Sequence, residues 1–413
     1  MNKIPRFVIL SLFLILCAFP AWAQLSISGK ITNAASGRPV RQASVSINKK
    51  GVGTATNGQG LFALIIPAGN VKDSLKISCV GYTTKYIAIA TIKKGEELNV
   101  VLTKSTTELG EVTIAYYDAD NIIQKAITRI PENYINYRHI LRGFYRMYTS
   151  TDSIPLQLSE TVFDVYNFGY GDTHADLFRL VKARNEKNDH DFNTLEIGQR
   201  PNSIFEQDII NHLHACDFLN EEGLKKHQFT VNGVVDFKGY QAYEIEFKEK
   251  YGAVEGTYRG KLYIDTKTYA FIYFDFGLSP KALSEVVPGT FIYRSLMRTG
   301  ATEVGLQFDH TQVSYQEVGN KWVLSGVEGD DSLSVKNPQL KYDYKAQVKY
   351  NYQITAVDPT QQESFIAKIG RNDNINAYKS NGDEKFWKDY NIILSDYDVE
   401  EVFKKIKAIN KIK

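Results

Sequence analysis

The 413-residue chain is 43% apolar, carries 26 Tyr and 22 Phe, and has a formal net charge of +2. No stretch is basic enough to hold nucleic acid, and the length exceeds what one ordinary core organises. Beyond the first twenty residues no run approaches the roughly 20 apolar residues that a membrane-spanning helix needs.

Lys3 and Arg6 precede an apolar run from Phe7 to Phe19 that only Ser11 interrupts. Pro20 breaks it, and Ala21-Trp22-Ala23 places small residues at the two positions a signal peptidase reads. Residues 1–23 are therefore expected to be a signal peptide cleaved before Gln24. The residue before Cys17 is Leu16, not the small residue that lipid modification favours. The protein is expected to be exported, to the periplasm or outer membrane. Without the segment it is near neutral, and Cys79 and Cys216 provide no disulfide framework.

From 24 to 104 short strand signals recur about every ten residues. Leu25, Ile27 and Ile31 alternate with polar neighbours; Ser36-Gly37-Arg38-Pro39 is a turn; Ala43, Val45 and Ile47 share a face. Asn57-Gly58-Gln59-Gly60 is a second turn, and Leu61, Ala63 and Ile65 follow it. Leu75, Ile77 and Cys79, then Tyr86 to Ile89, then Leu98, Val100 and Leu102 complete six or seven strands, the pattern of a β-sandwich. Ile27-Ser28-Gly29-Lys30-Ile31, Gly37-Arg38-Pro39-Val40, Thr54 to Phe62 and Val80-Gly81-Tyr82 resemble, in order, the carboxypeptidase regulatory-like domain. The resemblance implies a transthyretin-like seven-strand sandwich without peptidase residues, of a kind found in Bacteroidota-type cell envelopes and at the amino termini of TonB-dependent receptors. The glycines are expected to serve backbone geometry.

Residues 105–116 contain Leu109-Gly110-Glu111-Val112-Thr113-Ile114 and are expected to form a linker. The second domain, 117–413, opens with a helix whose apolar face is Ala119, Ile122, Ile123, Ala126, Ile127 and Ile130, stopped by Pro131. Strands are expected at Gly143–Tyr148 and Leu158–Tyr166. Residues 168–200, dense in charge, predict an exposed loop, and Ser203–Leu219 predicts a helix. From Phe229 onward the pattern is β: Tyr243, Ile245 and Phe247; Leu262 and Ile264; Ala270–Phe276; Val304–Tyr315; Lys321–Val327. The cleanest alternation is Tyr342, Tyr344, Ala346, Val348, Tyr350, Tyr352 and Ile354 against polar neighbours. Two short helices are expected between Phe386 and Lys413, docked by Phe386, Trp387 and Tyr390. A helix followed by a long antiparallel meander, with the hairpin Gly260 to Thr268, resembles the lipoprotein-carrier (LolA/LolB-like) half-barrels. That resemblance implies an apolar trough on the concave sheet face.

Chemistry-bearing motifs are few. The chain has no His-Glu-x-x-His, no Gly-x-Ser-x-Gly and no phosphate loop. His212-Leu213-His214-Ala215-Cys216 is the one His/Cys cluster; on a helix only His212 and Cys216 would pair. His190 lies in a run of charge, Glu244 and Glu246 read as a solvated strand face, and Asp330-Asp331 reads as a turn. No catalytic residue, metal or cofactor is assigned. The fold class expected is mainly β: a sandwich, then a larger antiparallel half-barrel with a few helices. The function expected is non-catalytic binding or structural work in the cell envelope. Tyr342, Tyr344, Val348, Tyr350, Tyr352 and Ile264 would line a face for lipid or for an outer-membrane or periplasmic partner protein, with peripheral membrane association. The alternatives are glycan capture by Tyr166, Phe168 and Tyr170, or a hydrolase whose residues are scattered.

Overall fold

The computed structural model describes residues 25–105, 117–152, 154–189, 200–250, 257–285, 303–339, 341–360, 369–378 and 384–411. The expected signal peptide, nearly all of the expected linker, and His190 lie outside these residues.

Seven strands build the first unit: β1 (Leu25–Asn33), β2 (Ser44–Ile47), β3 (Val52–Ala55), β4 (Leu61–Ile66), β5 (Ser74–Ser78), β6 (Lys85–Ala88) and β7 (Leu98–Leu102). They form a three-stranded sheet, β4-β1-β7, and a four-stranded sheet, β3-β2-β5-β6. The alternation seen in sequence is the cause: Ile27, Ile31, Val45, Ile47, Leu64 and Ile77 meet between the sheets and are almost wholly buried. Gly60 is needed where it stands. Its φ is +75°, and an added Cβ would lie 2.5 Å from the Ile31 carbonyl oxygen.

The larger unit is one antiparallel sheet of ten strands, not closed into a barrel. Its strands are β8 (His139–Thr151), β9 (Ile154–Asn167), β10 (Leu177–Lys187), β11 (His227–Phe237), β12 (Tyr240–Glu249), β13 (Tyr258–Asp265), β14 (Phe271–Leu278), β15 (Glu303–Val318), β16 (Lys321–Asn337) and β17 (Tyr342–Asp358). The order is β10-β9-β8-β17-β16-β15-β14-β13-β12-β11, so β17 closes onto β8 and all other neighbours are consecutive in the chain. Lys238 and Gly239, with φ of 52° and 85°, make the two-residue turn between β11 and β12.

Helices are short. They are α1 (Ala119–Thr128), α2 (Ile130–Asn133), α3 (Pro201–Glu206), α4 (Glu221–Lys226), α5 (Pro280–Glu285), α6 (Glu384–Asp389) and α7 (Val399–Ile409). Asp118 caps α1 by accepting from the Asn121 amide at 3.1 Å, and Asp398 caps α7 through Glu401 at 3.0 Å. Among the described residues no helix is long and apolar enough to cross a membrane.

Three local expectations are corrected. The expected loop 168–200 contains β10, an edge strand paired to β9. A bulge between Leu180 and Lys182 shifts its register and hides the period of two in the sequence. The expected helix Ser203–Leu219 breaks after Glu206, because the Asp208 carbonyl and carboxylate draw in the following amides and two tyrosines. Asp330-Asp331 is not a turn; it lies mid-strand in β16.

The two faces of the large sheet are covered differently. The inner face carries α1, α2 and the segment 201–226. The outer face receives the small sandwich and the carboxyl-terminal tail. The sandwich docks through Lys50, bridged to Val318, and through Lys49, whose Nζ lies 2.7 Å from Glu317. The tail docks as expected from its aromatics: Trp387 packs with Phe144 and Val162, beside Phe386 and Tyr390. Asn391 then bonds both the amide and carbonyl of Ile65, at 2.6 and 3.1 Å, tying tail to sandwich.

Candidate functional site

Side chains on the inner face follow directly from strand parity. On β17, Ala346, Val348, Tyr350, Tyr352 and Ile354 are buried, and Tyr344 is half-buried. Tyr342 belongs to the strand but its side chain is outside the description. Ile264 on β13 is fully buried. Tyr344, Val348, Tyr350, Tyr352 and Ile264, all expected to line a trough, therefore belong to or pack against one apolar core.

The chain itself covers this core. The Tyr352 ring stacks on Phe163 at 5.0 Å and meets Phe205 edge-on at 5.2 Å. Phe218 stacks on Phe247 at 4.4 Å and touches Phe276 at 5.1 Å. Ile204, Ile209, Ile210 and Leu219 fill the space between. Between α3 and α4 the cover is built of turns and one short 3-10 segment, Leu213–Ala215.

Two polar anchors fix the cover. Gln207 Nε2 donates to the Tyr350 hydroxyl at 3.0 Å. Asp208, 1% exposed, accepts from the hydroxyls of Tyr315 at 2.8 Å and Tyr170 at 2.9 Å. Each hydroxyl is used twice: Tyr170 also accepts the Leu324 amide and Tyr315 the Ile210 amide. Burial pushes the Asp208 carboxyl up to about 6 despite these donors, and nearby Asp176 up to about 7. The sequence alone did not reveal Asp208, whose partners lie 38 and 107 residues away.

A second feature is an acid pair. Asp309 on β15 is the register partner of Asp331 on β16, and Asp331 pairs with Val348 on β17. Both carboxyls thus sit on the inner face, in the row of Leu333 and Val348. Parity could have exposed Asp331 in the sequence, since it interrupts the apolar positions Val327, Leu333 and Val335.

On the outer face, sandwich, sheet and tail enclose a cavity of about 320 Å³. Arg41, Asn57, His310, Glu328, Lys349 and Asp396 are among its lining residues. Three of its charged side chains are engaged: His310 Nε2 lies 2.8 Å from Asp275, Gln42 donates to Glu328 at 2.5 Å, and Asp396 accepts the Gly58 amide. Glu244 accepts from Lys261 at 2.8 Å and Tyr263 at 2.9 Å. The His212 and His214 rings are 6.5 Å apart, and burial pushes the Cys216 thiol up to about 12. Among the described residues no three His, Cys, Asp or Glu side chains converge on a metal position. Tyr166 and Tyr170 are 1% and 4% exposed, so they offer no open stacking platform.

No curated protein matches the chain. Among solved structures it is similar to a DUF1329 family protein from Desulfovibrio piger, at 10% identity and TM-score 0.26, covering 60% of this chain and 96% of that one. It is also similar to a putative outer membrane lipoprotein-sorting protein domain from Vibrio parahaemolyticus, at 10% identity and TM-score 0.23, over 58% and 92% of the two chains. A LolA superfamily protein from Nitrosomonas europaea is similar at 8% identity and TM-score 0.22, over 58% and 94%. At such scores these likenesses bear no weight on function. The amino-terminal resemblance is borne out: residues 27–114 match the CarboxypepD_reg-like domain family.

Proposed function

We propose that the protein is a non-catalytic binding protein of the cell envelope, and that the inner face of its large sheet receives an apolar chain of lipid type when the segment 201–226 moves aside. The observation that carries this reading is the construction of the cover. An open ten-stranded sheet presents a continuous aromatic and aliphatic face, and much of it is closed by two six-residue helices joined by turns. Helices this short have little stability of their own and hold only through tertiary contact. Their polar anchors are few, and the central one is a carboxylate held in apolar surroundings at a cost. Apolar rings on both sides of the contact let a hydrocarbon replace the cover without exposing the sheet to water. The small sandwich, fixed by ion pairs and backbone bonds to the outer face, acts as a spacer or docking module, and export follows from the amino-terminal signal.

The test is native mass spectrometry of the protein purified from its own envelope, followed by organic extraction. A bound lipid species, lost on extraction and restored by adding it back, is the expected result. A protein that carries no lipid and accepts none from vesicles overturns the reading.

A further inference from the structure

Asp309 and Asp331 face each other on the inner side of the sheet, at one register position of adjacent strands. Side chains so placed have Cβ atoms about 5 Å apart. Asp331 is 7% exposed, and its Oδ1 has no hydrogen-bond partner. Asp309 accepts the Leu278 amide at 2.9 Å. The charges that act on Asp331 are Asp309 and Asp330, both negative, and burial is the larger influence on both members of the pair. The cation near Asp309 is His310, which points to the outer face and binds Asp275.

Two carboxylates cannot remain ionised side by side in such a place without a positive charge between them. The surroundings say what kind. The Tyr350 ring and Val348 border the pair on one side, and Tyr258 lies near both acids. Tyr258 in turn packs on Phe276 at 5.5 Å and Phe218 at 6.3 Å. A third acidic, His or Cys ligand that would make a metal position does not converge there among the described residues. An ammonium group fits instead. Its three N–H donors match two carboxylates, and aromatic rings attract its charge. The apolar face beyond suits a hydrocarbon attached to it.

We infer that the Asp309–Asp331 pair is a recognition site for the ammonium head of an amine-bearing amphiphile whose hydrocarbon lies along the inner face. The inference rests on the reading of that face as a binding surface, and names the headgroup it selects.

Calorimetric titration of the full chain with dodecylamine and with dodecanol, both below their aggregation limits at neutral pH, separates the two ideas. The expected result is amine binding about tenfold or more tighter than alcohol binding, the scale of one charge-assisted contact. Asp331→Asn removes that preference, and Asp309→Asn reduces it; thermal melting of each variant checks that it is folded. Equal affinity for amine and alcohol, or a preference that survives both substitutions, overturns the headgroup inference and leaves the apolar face standing. Failure of both ligands to bind overturns the two together.

Discussion

On the outer face of the sheet Glu160 lies between two arginines; on the inner face Asp331 lies between Val348 and another aspartate. Both acids are deeply buried. Arg146 and Arg184 each grip Glu160 with two nitrogens, at 2.5 and 2.6 Å. Arg184 continues to Glu400 at 2.6 Å and lies over the Trp387 ring, so the same cluster fastens the tail. On the inner face Asp208 has hydroxyls and amides, and Asp331 has less. One sheet thus buries acid in two ways. The paired way locks parts together; the unpaired way leaves a contact that a proton, a cation or a ligand can change.

That contrast is open to direct attack. The largest effect is expected at the locked side. Glu160→Gln leaves two guanidinium groups facing a neutral amide, and should cost about 3–5 kcal/mol in urea unfolding, with the tail released first. A loss under 1 kcal/mol would mean the cluster is not what holds the tail.

The next effect is on pH. The Asp208 carboxyl is raised from 3.8 to about 6 in the folded chain. The groups facing it are Tyr170, Tyr315 and Tyr134, with Asp176 adding like charge nearby. The covered form therefore binds protons more tightly than the opened one. Its stability is fully present below about pH 4, falls as pH rises through about 6, and levels off above. The span is about 3 kcal/mol for the two-unit shift. About half of that span, ~1.4 kcal/mol, remains between pH 5 and pH 8 and should appear as a lower urea midpoint at pH 8, and Asp208→Asn should reduce the difference. A midpoint that rises with pH contradicts the sign.

Smaller and opposite in direction is Asp331→Asn. Removing one of two facing carboxyls should stabilise the ligand-free protein by about 1–2 kcal/mol at pH 8 and by less at pH 5. The smallest effect is Tyr352→Phe. The Tyr352 hydroxyl is buried without a partner, so its removal should be neutral or stabilising by less than about 1 kcal/mol. A large loss in either variant would reveal a partner for that group.

The sandwich and the sheet of the large domain were legible because their signals are local. Alternation at Tyr344, Val348 and Tyr352, and turns at Gly37, Gly58 and Gly239, depend only on near neighbours. Strand β10 was not legible, since Arg179 and Arg184 are matched to Asp164 and Glu160 on another strand across a bulge. The cover was misread for a related reason. Ile204, Phe205, Ile209, Ile210 and Leu213 have helical spacing, but the Asp208 contacts with Tyr170 and Tyr315 override it. That the trough is closed by its own chain is a tertiary fact, absent from any window of sequence.

Hydrogen exchange of the 201–226 amides, compared with those of β17 under native conditions, shows whether the cover opens independently of the sheet. The cover should open locally, exchanging at a free energy several kcal/mol below that of β17, and a bound amphiphile should raise its exchange while β17 stays protected. Exchange of the cover only through the same global unfolding that exposes β17, unchanged by any amphiphile, would contradict the account.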